Sequence, residues 1–285
     1  MSSAQSAPTP APKAAPKAPP KAPPKPAPGF AKHPGYRIDF EPCPKRVRVS
    51  FGGEIIADST AVMLLRETAH IPVYYFPRRD VRFDLLEATA HSSFCPFKGE
   101  ASYWTVTAGG RSAENAVWGY PAPYAEVAAI ADTVAFYWGS MDAWYEEDEE
   151  VFVHARDPLV RIDILESHRP LKVVAGGETL AETSRALFLF ETGHPTRYYI
   201  PREDVRADCL VPSESHTACP YKGTASYHSV KLGGETFEDL VWSYPDPLPE
   251  VGRIKDLLCF YNERVEAIHL DGEELAKPRT KWSHG

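Results

Sequence analysis

The sequence predicts a mainly β protein: two tandem small curled-sheet domains, each with one short helix, behind a disordered N-terminal tail. Three observations lead there. The chain repeats itself without a gap at an offset of 124 residues, apolar and polar residues alternate up to paired glycines, and the first 29 residues are almost wholly Ala, Pro, Ser and Lys.

The repeat is anchored by Tyr-Tyr-Phe-Pro-Arg-Arg-Asp-Val-Arg from Tyr74 and Tyr-Tyr-Ile-Pro-Arg-Glu-Asp-Val-Arg from Tyr198. The same offset carries Gly52-Gly53-Glu54 onto Gly176-Gly177-Glu178, Glu67 onto Glu191 and His70 onto His194. It continues through Cys95-Pro96-Phe97-Lys98-Gly99 and Cys219-Pro220-Tyr221-Lys222-Gly223, then Tyr103 and Tyr227, Trp118 and Trp242, and Phe136-Tyr137 and Phe260-Tyr261. A period this long exceeds a solenoid unit and marks a duplicated domain. The divisions expected are a tail at 1–35, a first domain at 36–150, a linker at 151–157, a second domain at 158–276 and a C-terminal tail at 277–285. The two copies are expected to form a pseudo-dimer within the chain.

Met1 to Gly29 lacks the apolar stretch of a secretory signal, and its Lys-Ala-Pro-Pro spacing favours an extended polyproline II tether. The acidic run Glu146 to Glu150 reads as solvated loop or linker. Within a unit, Val47, Val49 and Phe51 alternate with Arg46, Arg48 and Ser50 and reach Gly52-Gly53, the pattern of a half-buried strand entering a hairpin. A second hairpin is expected where Ser102 to Thr107 meets Ala108-Gly109-Gly110, with Ala116 to Tyr120 returning. Pro123 to Ala131, with its counterpart Pro247 to Asp256, supplies the short helix.

Composition narrows the function classes. The 285 residues carry a net charge of −8, which argues against a generic nucleic-acid binder. No apolar run approaches the roughly 18 residues of a membrane span, so a soluble, cytoplasmic protein is expected. Five cysteines without a Cys-x-x-Cys pair give neither a disulfide framework nor a zinc knuckle, and no metal or cofactor is expected. Nucleotide-binding glycine loops, His-Glu-x-x-His and Gly-x-Ser-x-Gly are all absent.

The remaining candidates form two groups. Pro96 favours a tight turn that brings Cys95 near Lys98, where an ammonium would lower a thiol pKa from about 8.5. Cys95, Lys98 and Tyr103, repeated as Cys219, Lys222 and Tyr227, are therefore candidate nucleophile, charge and proton donor; a purely structural turn is the alternative. Cys43, Cys209 and Cys259 fall opposite Ser167, Leu85 and Ala135 and read as packing residues. His91 and His216 stand out of register, four and three residues before their cysteines.

The second group is ligand-binding: Glu67, Arg78, Asp80, Arg82 and Trp118, with Glu191, Arg202, Asp204, Arg206 and Trp242. Arg78, Asp80 and Arg82 would share one side of an extended segment, as a surface ion-pair ladder or as a clamp on a ligand anion. Glu67 and Glu191 end apolar runs, where a buried carboxylate pairing with Arg is expected. The aromatic residues serve either the core or the wall of a pocket.

On these stretches both units, Arg37 to Glu147 and Arg161 to Asp271, resemble the mainly bacterial domain of unknown function family 427. The resemblance implies a compact domain similar to the β-tent fold, many of whose members hold zinc through paired Cys-x-x-Cys motifs that this chain lacks. The family has also carried a putative nucleotidyltransferase label, but neither unit has Gly-Ser followed by paired acidic metal ligands.

Three functions stay open: binding of a small, anionic or nucleotide-like molecule in an aromatic-lined pocket; an enzyme with a Cys/Lys centre, by transferase or redox chemistry; and a scaffold whose tail recruits a partner. Because Arg66 faces Phe190, Arg79 faces Glu203, Trp104 faces His228 and Trp138 faces Asn262 across the repeat, the two pockets are expected to be unequal.

Overall fold

In the computed structural model, which describes residues 25–283, the two halves run through the same strands in the same order. The first comprises β1 (Ile38–Pro42), β2 (Val47–Phe51), β3 (Glu54–Ser59), β4 (Met63–Glu67), β5 (Val73–Pro77), β6 (Leu86–Cys95), β7 (Gly99–Ala108), β8 (Arg111–Gly119), β9 (Thr133–Phe136), β10 (Ala143–Glu146) and β11 (Glu149–Val151). The second comprises β12 (Ile162–Glu166), β13 (Leu171–Ala175), β14 (Glu178–Thr183), β15 (Leu187–Glu191), β16 (Arg197–Ile200), β17 (Leu210–Cys219), β18 (Gly223–Leu232), β19 (Glu235–Ser243), β20 (Leu258–Phe260), β21 (Ala267–Leu270) and β22 (Glu273–Glu274). Each half folds into an open seven-stranded sheet, ordered β1-β4-β5-β9-β8-β7-β6 in the first, and a four-stranded sheet, ordered β11-β10-β2-β3. The second half repeats both orders.

Strand periodicity splits each half into two cores. Along β5, Tyr74 and Phe76 pack with Val47, Val49 and Phe51 of the four-stranded sheet, whereas Tyr75 between them joins a separate cluster with Leu65, Tyr103 and Tyr120. The larger sheet is thus buried on both faces, the outer one partly beneath Val127 and Ile130. The second half divides likewise, with Tyr198 and Ile200 on one face and Tyr199 on the other.

The glycine pairs make the hairpins. Gly52 and Gly53 have φ of +60° and +83°, Gly109 and Gly110 +56° and +73°, as a type I′ turn demands. In the first half the two tips touch: a Cβ on Gly109 would lie 2.1 Å from the Gly52 carbonyl oxygen.

The expected short helices are present as 3-10 helices, Ala125–Ile130 and Pro249–Ile254, each interrupted by a non-helical valine, Val127 or Val251. Three expectations need correction. The acidic run is not loop: its residues pair Glu146 with Glu149 in a hairpin that extends the smaller sheet. Glu146 is buried there, accepting from the Tyr74 hydroxyl at 2.6 Å and pairing with Lys45.

Residues 78–80 and 202–204 are 3-10 turns rather than extended segments, so their charges do not form a ladder on one face. Finally, the part of the expected tail from residue 25 onward is docked, while the rest of that call lies outside the described residues. Helix α1 (Pro28–Lys32) follows Ala27, whose N–H is held by the Glu126 carboxylate at 2.9 Å, and the Gly29 N–H bonds the Pro96 carbonyl. Tyr36 stacks on Phe97 at 3.7 Å. The linker takes the same seat on the second half, where the Asp157 N–H donates to the Tyr221 hydroxyl at 2.7 Å.

Candidate functional site

The turn Cys95–Gly99 joins β6 to β7 with Cys95 opposite Gly99, and Gly99 takes φ of +104° to close it. This geometry sends the Lys98 side chain inward, where its ammonium pairs with Glu67 at the end of β4. Both side chains are under a tenth exposed, at 9% and 8%. The repeat reproduces the pair as Lys222 and Glu191, 2.6 Å apart. Glu67 and Glu191 therefore take lysine, not the expected arginine, as their cation.

Tyrosines surround the pair. Tyr36 donates to Glu67 at 2.6 Å, and Lys98 lies 6.0 Å from the centre of the Tyr120 ring. Burial first, then the neighbouring acidic groups, raises the phenols of Tyr75 and Tyr120 above their ordinary range, so both stay protonated. Tyr199 and Tyr244 are raised for the same reason. Tyr103 meets the Ser93 hydroxyl at 2.6 Å, and Tyr227 meets Thr217 at 2.7 Å. Cys95 and Cys219 stand half-buried at the turn, whereas Cys43, Cys209 and Cys259 are buried.

Beside this polar cluster lies an aromatic pair, Trp118 and Tyr137, with ring centres 4.5 Å apart; in the second half Trp242 and Tyr261 are 4.6 Å apart. The halves diverge around it. Arg197 stands where the first half has Val73, and Glu263 where it has Gly139. Arg197 grips Glu263 through two hydrogen bonds of 2.7 and 2.8 Å, with its guanidinium 5.4 Å from Trp242 and 5.6 Å from Trp282. Trp242 is 7% exposed, but Tyr137 is 47% exposed and a Cβ on Gly139 would meet nothing within 4 Å.

The structure thus brings together Glu67, Cys95, Lys98, Tyr103 and Trp118, and likewise Glu191, Cys219, Lys222, Tyr227 and Trp242. It keeps Arg78, Asp80 and Arg82 apart from them. Arg78 covers the Phe83 ring at 4.0 Å, Asp80 accepts from Ser59, and Arg82 pairs with Asp84. In the second half Asp204 binds Thr183 and Arg185, and Arg206 binds Asp208 and Glu178; Arg202 occupies the matching turn. His91 rests on the Tyr103 ring at 4.5 Å, and His216 faces Ser226.

Sequence reasoning left Tyr75 and Tyr137, with Tyr199 and Tyr261, off its site roster although the offset marks all four. Tyr36, Arg197 and Glu263 gave no such signal, because Val160, Val73 and Gly139 stand opposite them.

Chemically, the arrangement offers hydroxyl donors, an open aromatic face and an ion pair whose charges are mutually satisfied. Because Lys98 meets Glu67, its field on Cys95 is largely cancelled. Among the described residues no group of three or more His, Cys, Asp or Glu side chains is placed to hold a metal, and no helix is long and apolar enough to cross a membrane. A family model described as a domain of unknown function (DUF427) matches residues 39–147 and again 163–271. No curated protein matches the chain.

Proposed function

The chain belongs to the DUF427 family twice over, and on that footing we propose that it binds a small organic molecule, anionic or nucleotide-like, on the aromatic face of its first half. One observation carries the reading: a buried Lys–Glu pair ringed by tyrosines recurs at the same offset in both copies while its surroundings differ. Burying two charges is a poor route to stability, since apolar residues of like volume do as well or better. Twofold retention therefore supports a role in recognition.

The divergence supports one working face per chain. In the second half Arg197, Glu263 and Trp282 fill the space beside the aromatic pair, whereas in the first Tyr137 is exposed and Trp118 only half-buried. A ligand ring would stack there, and an acidic group would compete with Glu67 for Lys98. Five unpaired cysteines agree with a reducing, cytoplasmic setting.

Thermal unfolding of the full chain against a panel of nucleotides and aromatic acids tests the reading. A binder at a hundred times its Kd should stabilise by about 2.7 kcal/mol. The shift should shrink in Trp118→Ala and persist in Trp242→Ala; no stabilisation by any compound overturns the proposal. A thiol-centred reaction is the second reading, favoured by the half-buried Cys95 and Cys219 at matched turns. Alkylation profiles placing both thiols at or above about 8.5 would remove it.

A further inference from the structure

A crevice of about 380 Å³ runs between the two halves; neither Lys98 nor Lys222 lines it, but Tyr221, beside Lys222 in its turn, does. Its walls are Pro42, Pro44 and Leu64 from the first half, with Pro158 and Val160 from the loop before β12 and Ile162 from β12 itself. Three proline rings make the walls stiff, so little conformational freedom remains to be lost on binding.

The charges at its mouth, Asp157 apart, are already matched in ion pairs. Glu41 is held by Arg66 at 2.8 Å, Arg156 by Glu250 at 3.0 Å, and Lys45 by Glu146. The Asp157 carboxylate takes the Leu159 N–H at 2.9 Å. Deeper in, the Tyr74 hydroxyl is committed to Glu146. A charged ligand would have to break one of these pairs, whereas an apolar one needs only to displace water.

We infer that this crevice is a second binding site, one per chain, for a neutral and mostly apolar molecule of about two fused rings. Its volume falls within the range of small-molecule pockets, and meeting points of domains are where such pockets concentrate. Both halves must be present to form it, so duplication itself created the site. The inference does not depend on the function proposed above.

The test uses the full chain and the neutral dye prodan, whose emission shifts to the blue in apolar surroundings. Saturable binding at one dye per chain is expected, with the anionic dye anilinonaphthalene sulfonate binding at least about tenfold more weakly. Cys43 lines the crevice, so prodan should slow its alkylation and leave that of Cys95 unchanged. Val160→Trp, a change in the loop before β12 and outside any strand, should fill the space and abolish both effects. No saturable shift, unchanged Cys43 alkylation, equal binding of the anionic dye, or full binding by Val160→Trp would each overturn the inference. Trp118→Ala should leave prodan binding intact, which separates this site from the aromatic face.

Discussion

Lys222 reaches Glu191 across 2.6 Å inside the second half, with both side chains nearly excluded from water. The two residues sit 31 positions apart, on a turn and at a strand end, as Lys98 and Glu67 do in the first half. Removing one partner leaves a buried charge without its counter-ion. Lys222→Ala or Glu191→Ala should therefore cost about 3–5 kcal/mol, and the double change Lys222→Met with Glu191→Leu distinctly less. Urea denaturation followed through tryptophan fluorescence measures this; a double variant as weak as the sum of the singles would contradict it.

The Arg197–Glu263 pair predicts an acid-sensitive second half. Desolvation works to raise the Glu263 pKa, but hydrogen bonds from Arg197 and Thr280 outweigh it and hold the carboxyl below its ordinary 4.5. A folded pKa below the unfolded one means that the stabilisation is present above the unfolded value and fades as pH falls through the folded value. Wild type should thus exceed Glu263→Gln in stability at neutral pH and converge with it only as the pH falls below the ordinary glutamate range. A constant gap down the titration would count against this account.

Thiol accessibility should sort the cysteines into three classes. Full burial pushes the Cys259 thiol up to about 12, and burial also raises Cys43 and Cys209. Iodoacetamide should label Cys95 and Cys219 first, the crevice-lining Cys43 more slowly, and Cys209 and Cys259 only on unfolding. Peptide mapping after timed quenching reads the order, and early labelling of Cys259 would refute it.

The contact between hairpin tips predicts an asymmetry between the copies. Gly109 and Gly233 share a positive φ, +56° and +54°, but only at Gly109 would a Cβ strike backbone, that of Gly52. Both alanine variants should lose about 1 kcal/mol for the conformation alone. Gly109→Ala should lose clearly more, and equal losses in calorimetry would show that the tips separate freely.

Much of the fold was legible because its signals are local. Alternation at Val47, Val49 and Phe51 marks a strand whatever surrounds it, and Gly52-Gly53 marks a turn because few other residues accept two positive φ angles in succession. The aromatic core on the outer face was harder to read. Tyr74 and Tyr75 are adjacent and alike, yet the pleat sends one to each core. The short helix was legible in position but not in winding, since Val127 departs from helical geometry within it.

The sequence by itself determined the duplication, the strand pattern, the glycine turns and the recurring set of Glu, Cys, Lys and Tyr, because a repeat offset and short-range backbone preferences need no partner elements. Only the tertiary structure decided that Glu67 takes Lys98 rather than an arginine, that Tyr36 folds back onto it, and that Arg197 and Glu263 fill one copy alone. Those choices depend on sheet register and on which segments lie across each other, and side chains 31 or 66 residues apart carry no local trace of their meeting.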